Sequence, residues 1–343
     1  MDVNEIQKFL LIIENKLQEN WSKFSTNIPI HLITAYHMGW VDEDLIPITN
    51  IRRGKRLRPL FCVLVNQTLN GVLDDALEIG SAIEFLHNFS LVHDDIQDQD
   101  EKRHGKWTVW KIWGEAQAIN VGDLLFNMVF QVLTNLKSPL LLSKSLKELT
   151  ETIRELIEGQ YLDISFEKRK DISLKEYLMM IDKKTAKLFS TSFYLGAFSA
   201  TYKEEISKLF QDIGRNFGLF FQIADDAMGI WGDPEKTGKN AFADLWRKKK
   251  TYPILYLYSE ASDKEKRMIE EIWGRDIVTE KDIEYLLDRL EKKRVKEATF
   301  NLAEKYFGES YKKLLSFQDL YNISLLRKLF EDYYNLIFSF QRS

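Results

Sequence analysis

Three aspartates at the end of a long apolar segment are spaced so that they could bind a cation together. The segment that starts at Leu86 ends in Asp94, Asp95 and Asp98. Asp94 and Asp98 share a face if the segment is helical, and carboxylates about 4 Å apart repel by about 1 kcal/mol even in water. Their grouping predicts a cation, since Mg²⁺ prefers one or two carboxylates with water and substrate phosphates. The alternative is a solvated helix end.

A second pair of aspartates favours the metal interpretation. Asp225 and Asp226 end another apolar helix, predicted over residues 206–230, and each acidic helix is followed closely by Lys or Arg. If the two helices face each other, their carboxylates meet across a cavity with apolar walls and a cationic rim. Such a cavity suits a ligand with an anionic, metal-binding head and a long apolar tail, such as an isoprenoid diphosphate.

A basic segment upstream predicts an anion site. Residues 52–59 place five cations in eight positions before an apolar run. Pro59 is tolerated in the first turn of a helix, so the cations cluster at a helix N-terminus, which already favours an anion. We interpret the segment as a diphosphate clamp, and a solvated basic turn is the alternative. His87 lies two helical turns before Asp94. We interpret it either as a ligand or as a hydrogen-bonded core residue.

Composition limits the classes of protein that this chain could be. Its 343 residues carry a net charge of -4, so no global basic field suggests nucleic acid. The basic run at 247–250 is typical of a solvated helix end. Cys62, the only cysteine, lies in an apolar run, which predicts a buried thiol and a reducing, cytoplasmic compartment. We find no signal peptide and no transmembrane segment.

The elements that position these residues are predicted to be helices throughout. Only 6 Pro and 16 Gly interrupt the chain, so we expect an all-α fold in one domain over residues 1–343. Ser173 and Glu176 have the spacing of a capping box. We place a loop at residues 99–105 over the first carboxylates. Thr185 lies inside a helix, where a hydroxyl usually bonds only to the preceding turn. Further helices are predicted at about 141–165, 173–200, 252–260, 263–273, 279–307 and 309–340.

Taken together, these motifs resemble the trans-isoprenyl diphosphate synthases over residues 50–255. Residues 94–98 match the first Asp-rich motif of that family, residues 54–59 match its upstream Gly-Lys-x-x-Arg-Pro element, and residues 221–226 lead into its second Asp-rich motif. Residues 159–160, 184–185 and 239 also match. The resemblance implies an isoprenoid synthase-type helical bundle around a central cavity, usually a homodimer.

The resemblance also implies a role for each matching residue. Three Mg²⁺ ions would be bound by Asp94, Asp98 and Asp225, with Asp95 and Asp226 in support. The allylic diphosphate (dimethylallyl, geranyl or farnesyl) would be contacted by Arg103, Lys184, Lys239 and Lys249. Isopentenyl diphosphate would be bound by Lys55, Arg58 and His87. The allylic carbon, where positive charge develops, would face Thr185 and Gln222. Condensation would then release diphosphate and a proton.

Two positions depart from the family pattern. Gly229 stands where the second motif usually has its third Asp, although Asp233 follows four residues later. His104 follows Arg103 where the family usually has a second Arg. Because histidine titrates near neutrality, this substitution predicts binding of isopentenyl diphosphate that depends on pH between 6 and 8.

The residues just before the first motif set the product length in this family. Phe89 lies five positions before Asp94, about 7 Å deeper along a helix, and Ser90 keeps the neighbouring position small. A single aromatic residue there resembles the members that stop at geranylgeranyl diphosphate (C20), with farnesyl (C15) or a longer product as alternatives.

Other functions remain open from the sequence. A class I terpene cyclase ionises the same kind of substrate, but it needs no second diphosphate site such as residues 54–59 and carries an Asn, Ser and Glu metal motif that we do not find. A catalytically silent regulatory subunit is disfavoured by the intact Asp94, Asp98 and Asp225. A nucleic-acid or scaffold role depends only on residues 247–250.

Overall fold

The protein is helical almost throughout, in a computed structural model that describes residues 2–48, 54–232 and 242–339. The predicted all-α class is confirmed. In chain order the helices are α1 (Asp2–Phe24), α2 (Ile30–Met38), α3 (Leu57–Thr68), α4 (Leu73–Gln97), α5 (Val109–Trp113), α6 (Glu115–Leu133), α7 (Pro139–Lys168), α8 (Leu174–Ile181), α9 (Lys187–Thr201), α10 (Glu204–Trp231), α11 (Ala243–Trp246), α12 (Tyr252–Glu260), α13 (Asp263–Gly274), α14 (Glu280–Lys292), α15 (Val295–Leu315) and α16 (Ser324–Phe338). The described strands are β1 (Lys102–Arg103) and β2 (Lys106–Trp107), an antiparallel pair.

The chain forms two compact units. The first comprises Met1–Ile153, Thr191–Gln211 and Leu320–Leu326. In it, α4 packs along α6 and α3. Buried side chains surround α4 on most sides, which fits its nearly continuous apolar sequence, and Asp74 and Asp75 in its first turn complement the helix dipole. Cys62 on α3 is fully buried and unpaired, as the sequence predicts.

The second unit comprises Arg154–Ser190, Asp212–Asp319 and Arg327–Ser343. Aromatic side chains fill part of its core, where the ring of Phe217 contacts those of Phe189 and Phe330. A separate apolar cluster includes Ile230 and Leu245. This unit therefore holds the end of α10, which carries Asp225 and Asp226, on a packed base.

Local signals place some helix ends correctly and others wrongly. Ser173 caps α8 in a capping box with Glu176, as predicted. The expected helices at 279–307 and 309–340 are wrong, because the chain breaks at Arg294, whose φ of 53° is left-handed, and α15 then continues through Gly308. A left-handed residue ends a helix wherever it occurs, whereas one glycine inside a helix costs only about 1 kcal/mol.

One described helix has the length and composition of a membrane span. It is α6, whose most apolar window has a mean hydropathy of 1.2 and is 44% buried. Its apolar face packs against α4. The core helix of a soluble protein passes the same test, so α6 is weak support for a membrane span.

Candidate active site

The carboxyl end of α4 carries the first group of carboxylates. Asp94 and Asp98 lie one turn apart and are half-buried, and the Asp98 N–H donates to the Asp94 carbonyl at 2.8 Å. Helical geometry therefore persists to the last aspartate, and the two side chains share a face. The last carbonyls of a helix carry partial negative charge, which adds to that of the carboxylates. This helix end favours a cation.

Asp95, the middle aspartate, is turned away from solvent and paired. Only 2% of its surface is exposed, and its Oδ1 accepts from Arg103 Nε at 2.8 Å and lies 2.7 Å from Nη2. Burial raises the pKa of Asp95 to about 6, although the Arg103 guanidinium opposes that rise. In this structure Arg103 therefore binds Asp95, and the direct contact with a diphosphate remains a prediction.

The segment after Asp98, predicted as a loop, leads through residues 99–101 into a tight hairpin. His104 and Gly105 connect β1 to β2, and both have positive φ, at 52° and 77°. Two left-handed residues form the turn that suits short hairpins, and histidine is among the residues that tolerate this conformation. The turn places His104 beside Arg103 and Lys55, and burial together with these two cations lowers the pKa of His104.

The described part of the basic segment begins at Gly54, and within it Arg56 is structural, while Arg52 and Arg53 lie outside the described residues. Arg56, 5% exposed, donates from Nε to Glu14 at 3.2 Å and from Nη1 to Glu84 at 2.8 Å. Its Nη2 donates to the Met38 carbonyl at 2.9 Å. With φ at 47°, Arg56 also precedes the first residue of α3. A buried guanidinium with two carboxylates is neutralised locally, so Arg56 anchors the segment.

Arg58 and His87 form a pair in which the histidine is the acceptor. Arg58 Nη1 lies 3.0 Å from His87 Nε2. A guanidinium can only donate, so His87 Nε2 accepts and the ring is neutral. Burial, then the nearby Arg58, lowers the pKa of His87 well below its ordinary value, and burial lowers the pKa of Arg58 to about 10. His87 therefore orients a charged Arg58 and adds no cation of its own.

A row of aromatic side chains connects α4 with α6 below the first aspartates. The ring of Phe89 lies 5.0 Å from that of Phe126 and 4.9 Å from His93, and Phe126 lies 5.3 Å from Phe130. The three phenylalanines are half-buried. Ser90 donates its hydroxyl to the His87 carbonyl at 2.7 Å and so stays against its own helix.

The second group of carboxylates divides into a half-buried Asp225 and a buried Asp226. Asp226 accepts three hydrogen bonds, from the Tyr177 hydroxyl, from Gln222 Nε2 at 2.9 Å and from the Tyr252 N–H at 3.0 Å. Burial raises the pKa of Asp226 to about 7, against the effect of these donors. Asp226 is thus a structural acceptor, and Asp225 is the member that is more open to a ligand.

Thr185 and Lys184 lie on a π-helical turn, Asp182–Ala186, between α8 and α9. Thr185 Oγ1 donates to Gln222 Oε1 at 2.8 Å, so the hydroxyl does not merely bond to its own helix. The Lys184 ammonium lies 2.5 Å from an Asp163 oxygen on α7. One extra residue per turn reorients the side chains that follow, and such turns are frequent at functional sites.

Two glycines allow the helices on either side to approach this turn. A Cβ on Gly159 of α7 would lie 2.4 Å from the Lys184 backbone nitrogen, and one on Gly218 of α10 would lie 2.6 Å from the Ala186 Cα. No side chain fits at such distances. Gly159 belongs to the pair Gly159-Gln160, which matches a family motif. The close approach of the helices explains why this residue has no side chain.

The remaining predicted contacts are less defined. Lys249 is exposed after α11, and its N–H donates to the Asp244 carbonyl at 2.9 Å. Lys239 and Asp233 lie outside the described residues. Sequence reasoning missed Tyr177 and Asp163 as partners of Asp226 and Lys184. The polar side of residues 159–163 pointed to Asp163, whereas nothing local marks Tyr177.

The donor chemistry fits Mg²⁺. Within residues 2–48, 54–232 and 242–339, no three His, Cys, Asp or Glu side chains come together as a complete metal cage. Mg²⁺ seldom uses such a cage, since it binds through one or two carboxylates and completes its shell with water and substrate phosphates. Asp94 and Asp98 provide one such partial set of ligands, and Asp225 provides another.

Comparison with known proteins identifies the family. The polyprenyl synthetase family profile matches residues 45–290. The chain is 38% identical over 236 residues to a (2E,6E)-farnesyl diphosphate synthase of Mycobacterium tuberculosis, covering 69% of this chain and 65% of that protein. It is 38% identical over 256 residues to a geranylgeranyl diphosphate synthase of Saccharolobus solfataricus, covering 74% of this chain and 77% of the other.

Solved structures agree with that assignment. Geranylgeranyl pyrophosphate synthetase from Pyrococcus horikoshii superimposes with a TM-score of 0.83 at 31% identity, covering 97% of both chains. A polyprenyl synthase from Caulobacter crescentus, solved with calcium and isoprenyl diphosphate, gives a TM-score of 0.81 at 29% identity, covering 96% of this chain and 94% of the other. The helical fold, the positions of the acidic motifs and these matches lead to one conclusion: the chain belongs to the polyprenyl synthetase family.

Proposed function

We propose that this protein is a prenyltransferase that condenses isopentenyl diphosphate with an allylic diphosphate to give an all-trans prenyl diphosphate. The observation that carries the proposal is the pair of acidic helix ends, Asp94 with Asp98 on α4 and Asp225 on α10. The basic segment at the start of α3, which contains Lys55 and Arg58, supports a site for a second diphosphate. Relatives named farnesyl and geranylgeranyl diphosphate synthases support it.

The allylic diphosphate is the substrate assigned to the acidic helix ends. We propose that Asp94, Asp98 and Asp225 hold three Mg²⁺ ions, which when bound supply the positive charge that stabilises diphosphate as a leaving group. Lys184, Lys249 and Arg103 add cations from the protein. Asp95 and Asp226 hold Arg103 and Gln222 in place. The structure from Caulobacter crescentus, described as a complex with calcium and isoprenyl diphosphate, is consistent with this chemistry.

Isopentenyl diphosphate is assigned to the basic segment. Arg58, oriented by His87, and Lys55 bind its diphosphate at the start of α3, where backbone N–H groups also favour an anion. The allylic C–O bond breaks with its electron pair leaving on diphosphate, and the alkene of isopentenyl diphosphate forms the new C–C bond. The proton that is then lost passes to the released diphosphate. The oxygens of Thr185 and Gln222 stabilise the positive carbon.

The aromatic row on α4 and α6 is the candidate floor that would limit the length of the product. Phe89 lies about 7 Å below Asp94 along the helix, and Phe126 packs against it at 5.0 Å. Two rings in contact form a firmer floor than Phe89 alone. We therefore propose geranylgeranyl diphosphate as the main product, with farnesyl diphosphate and longer products as the alternatives.

Opening this floor is expected to lengthen the product. Phe89→Ala and Phe126→Ala each remove one ring of the contact, and the main product of each variant should gain at least one C5 unit because the chain can extend past the gap. Chromatography of the dephosphorylated alcohols measures the shift. Phe130→Ala is the matched control, since its ring contacts Phe126 and not Phe89 among the described ring pairs. An unchanged distribution in both variants would place the floor elsewhere.

Binding of isopentenyl diphosphate is expected to depend on pH through His104. Burial, Arg103 and Lys55 lower the pKa of His104 below its ordinary value of 6.5. The ring therefore becomes protonated only at a lower pH than a free histidine. KM for isopentenyl diphosphate should therefore stay flat between pH 7 and 8 and decrease as the pH falls below 6.5, where the ring gains charge. His104→Asn keeps a residue that tolerates positive φ and should remove that decrease. Equal pH profiles of the two proteins would contradict the prediction.

Product analysis tests the proposed function directly. The purified protein is incubated with Mg²⁺, isopentenyl diphosphate and dimethylallyl, geranyl or farnesyl diphosphate in turn. The expected result is a prenyl diphosphate longer than the primer. A hydrocarbon or alcohol formed without isopentenyl diphosphate would indicate a terpene cyclase, and no product from any primer would indicate a silent subunit. Either result would overturn the proposal.

The proposal includes a homodimer in the cytoplasm. The buried thiol of Cys62 is compatible with a reducing compartment. Light scattering of the purified protein tests the dimer, which is expected at twice the chain mass of 40.4 kDa.

A further inference from the structure

The first helix, α1, has no part in the motifs that identify the family. The family profile begins to match at residue 45, whereas α1 ends at Phe24. One carboxylate of α1, that of Glu14, is nevertheless almost completely buried, with 1% of the residue surface exposed. Burying a carboxylate is unfavourable unless it is paired, so the partners of Glu14 indicate what α1 does.

Both oxygens of the Glu14 carboxylate have a partner from a later part of the chain. Oε1 accepts from the indole Nε1 of Trp40, and Oε2 accepts from Arg56 Nε at 3.2 Å. Trp40 is itself buried, and its ring packs edge-on against that of Trp21 on α1. Packing therefore fixes the carboxylate, and Arg56 binds to a rigid acceptor.

The Arg56 guanidinium joins three helices at the N-terminus of a fourth. Besides Glu14 on α1, it donates to Glu84 on α4 at 2.8 Å and to the carbonyl of Met38, the last residue of α2, at 2.9 Å. Asn88 Nδ2 donates to the same Glu84 oxygen at 2.9 Å. Every nitrogen of the guanidinium thus has an acceptor, and each acceptor belongs to a buried residue of the first unit.

This side chain controls a strained backbone position. Arg56 is the N-cap of α3, with φ at 47° and ψ at 35°, a left-handed conformation that persists at a non-glycine residue only where the surrounding contacts require it. Because α3 begins at Leu57, the dihedral angles of residue 56 set the position of Lys55 relative to Arg58 in the first turn. The two residues proposed to bind isopentenyl diphosphate therefore lie on either side of a turn that Arg56 fixes.

Glu84 has a second effect on the same site. Burial lowers the pKa of Arg58 to about 10, and the charge of Glu84 opposes that decrease. Glu84 also lies one turn before His87, which accepts from Arg58. Because Glu84 acts on both arginines, Glu14 is the better residue for testing the effect of Arg56 alone.

We infer that Glu14 is a positioning residue for isopentenyl diphosphate, and that α1 belongs to the site through it. Glu14 holds the Arg56 guanidinium, and Arg56 holds the backbone that presents Lys55 and Arg58 to the diphosphate. The inference rests on the proposed function, because the basic segment must bind that substrate. It predicts a selective defect, in which binding of isopentenyl diphosphate weakens and binding of the allylic diphosphate at the acidic helix ends does not.

Glu14→Gln tests the inference. Glutamine keeps the size of the side chain and an oxygen for Trp40, but it removes the charge that binds Arg56. KM for isopentenyl diphosphate is expected to rise about 10-fold, below the roughly 10²-fold effect that a misplacement of about 1 Å can cause. KM for geranyl diphosphate should stay within about twofold of wild type. A loss of folded protein would lower the apparent kcat and leave both KM values unchanged, so the ratio of the KM values separates positioning from stability.

Glu5→Gln is the matched control, because Glu5 lies on the same helix and is exposed. This control should keep both wild-type KM values. Glu14→Asp keeps the charge on a shorter side chain and should raise KM for isopentenyl diphosphate less than Glu14→Gln does. If Glu14→Gln does not fold, as judged by circular dichroism, Glu14→Asp is compared with the control instead and should show the same selectivity.

A double-mutant cycle tests whether Glu14 acts through Arg56. Arg56→Lys keeps the charge but loses the planar set of donors, so it should also raise KM for isopentenyl diphosphate. Adding Glu14→Gln to Arg56→Lys should raise KM by less than the product of the two single effects, since contacting residues are not additive. Independent effects of the two substitutions would overturn the inference.

Calorimetric titration with isopentenyl diphosphate alone separates this inference from the proposed function. No condensation occurs without an allylic primer, so Kd is measured without turnover. A wild-type Kd for Glu14→Gln, or equal increases in both KM values, would overturn the inference and leave the proposed function intact. A wild-type protein that does not bind isopentenyl diphosphate would overturn the proposed function, and this inference with it.

Discussion

Asp225→Asn is expected to lower kcat about 10²–10³-fold, the range seen when a preorganised electrostatic group is removed. Asparagine keeps the size of the side chain but removes the negative charge that attracts divalent cations. Asp94→Asn should have an effect of the same order, because Asp94 and Asp98 lie at the negative end of the α4 dipole. Steady-state rates with saturating Mg²⁺ measure both effects.

The control for these variants is Asp319→Asn. Asp319 is exposed in the turn after α15, so its loss changes the net charge equally without touching either acidic helix end. The control should keep wild-type kcat. A kcat within twofold of wild type for Asp225→Asn or Asp94→Asn would show that the carboxylate concerned does not take part in the reaction.

Gly159→Ala is expected to damage both stability and catalysis. The new Cβ would lie 2.4 Å from the Lys184 backbone nitrogen and 2.8 Å from its Cα, and neither atom belongs to a flexible side chain. Overpacking of this kind lowers the free energy of unfolding by about 1–3 kcal/mol. Displacing Thr185 by about 1 Å could also cost about 10²-fold in kcat. Thermal unfolding and steady-state kinetics measure the two effects.

Gly308→Ala provides a matched comparison, because the same substitution is made inside a helix with open space around it. No heavy atom lies within 4 Å of a Cβ built on Gly308. Alanine has the higher helix propensity, so this variant should raise the free energy of unfolding by up to about 1 kcal/mol and leave kcat unchanged. Equal free energies of unfolding and equal kcat values in the two alanine variants would contradict the close approach of α7 to the π-helical turn.

The features that the sequence predicts correctly are local ones. The change from apolar residues to Asp94, Asp95 and Asp98 marks the end of α4 because one short stretch contains both the buried helix and its charged end. Ser173 and Glu176 are equally local, and their capping box forms as expected. Pro59 lies in the first turn of α3, at the place where the cations were expected to cluster.

What the sequence does not reveal depends on distant partners. Tyr177 and Asp226 are 49 residues apart, and Arg56 is neutralised by Glu14 and Glu84, which are 42 and 28 residues away. No periodicity marks such pairs. For the same reason periodicity does not distinguish Arg56 from Arg58, and only the family resemblance singled out Arg58. In the structure Arg56 binds Glu14 and Glu84, and Arg58 lies against His87. The grouping of all the carboxylates about one substrate stays a prediction.

The π-helical turn at Asp182–Ala186 has a consequence for how this protein can evolve. Deleting one residue there would give a regular α-helix, but it would rotate everything on one side of the deletion by about 100° relative to the other. Lys184 and Thr185 could not both keep their partners Asp163 and Gln222 after such a rotation. Selection should therefore preserve the length of this segment more strictly than its composition, and insertions or deletions among descendants should fall elsewhere.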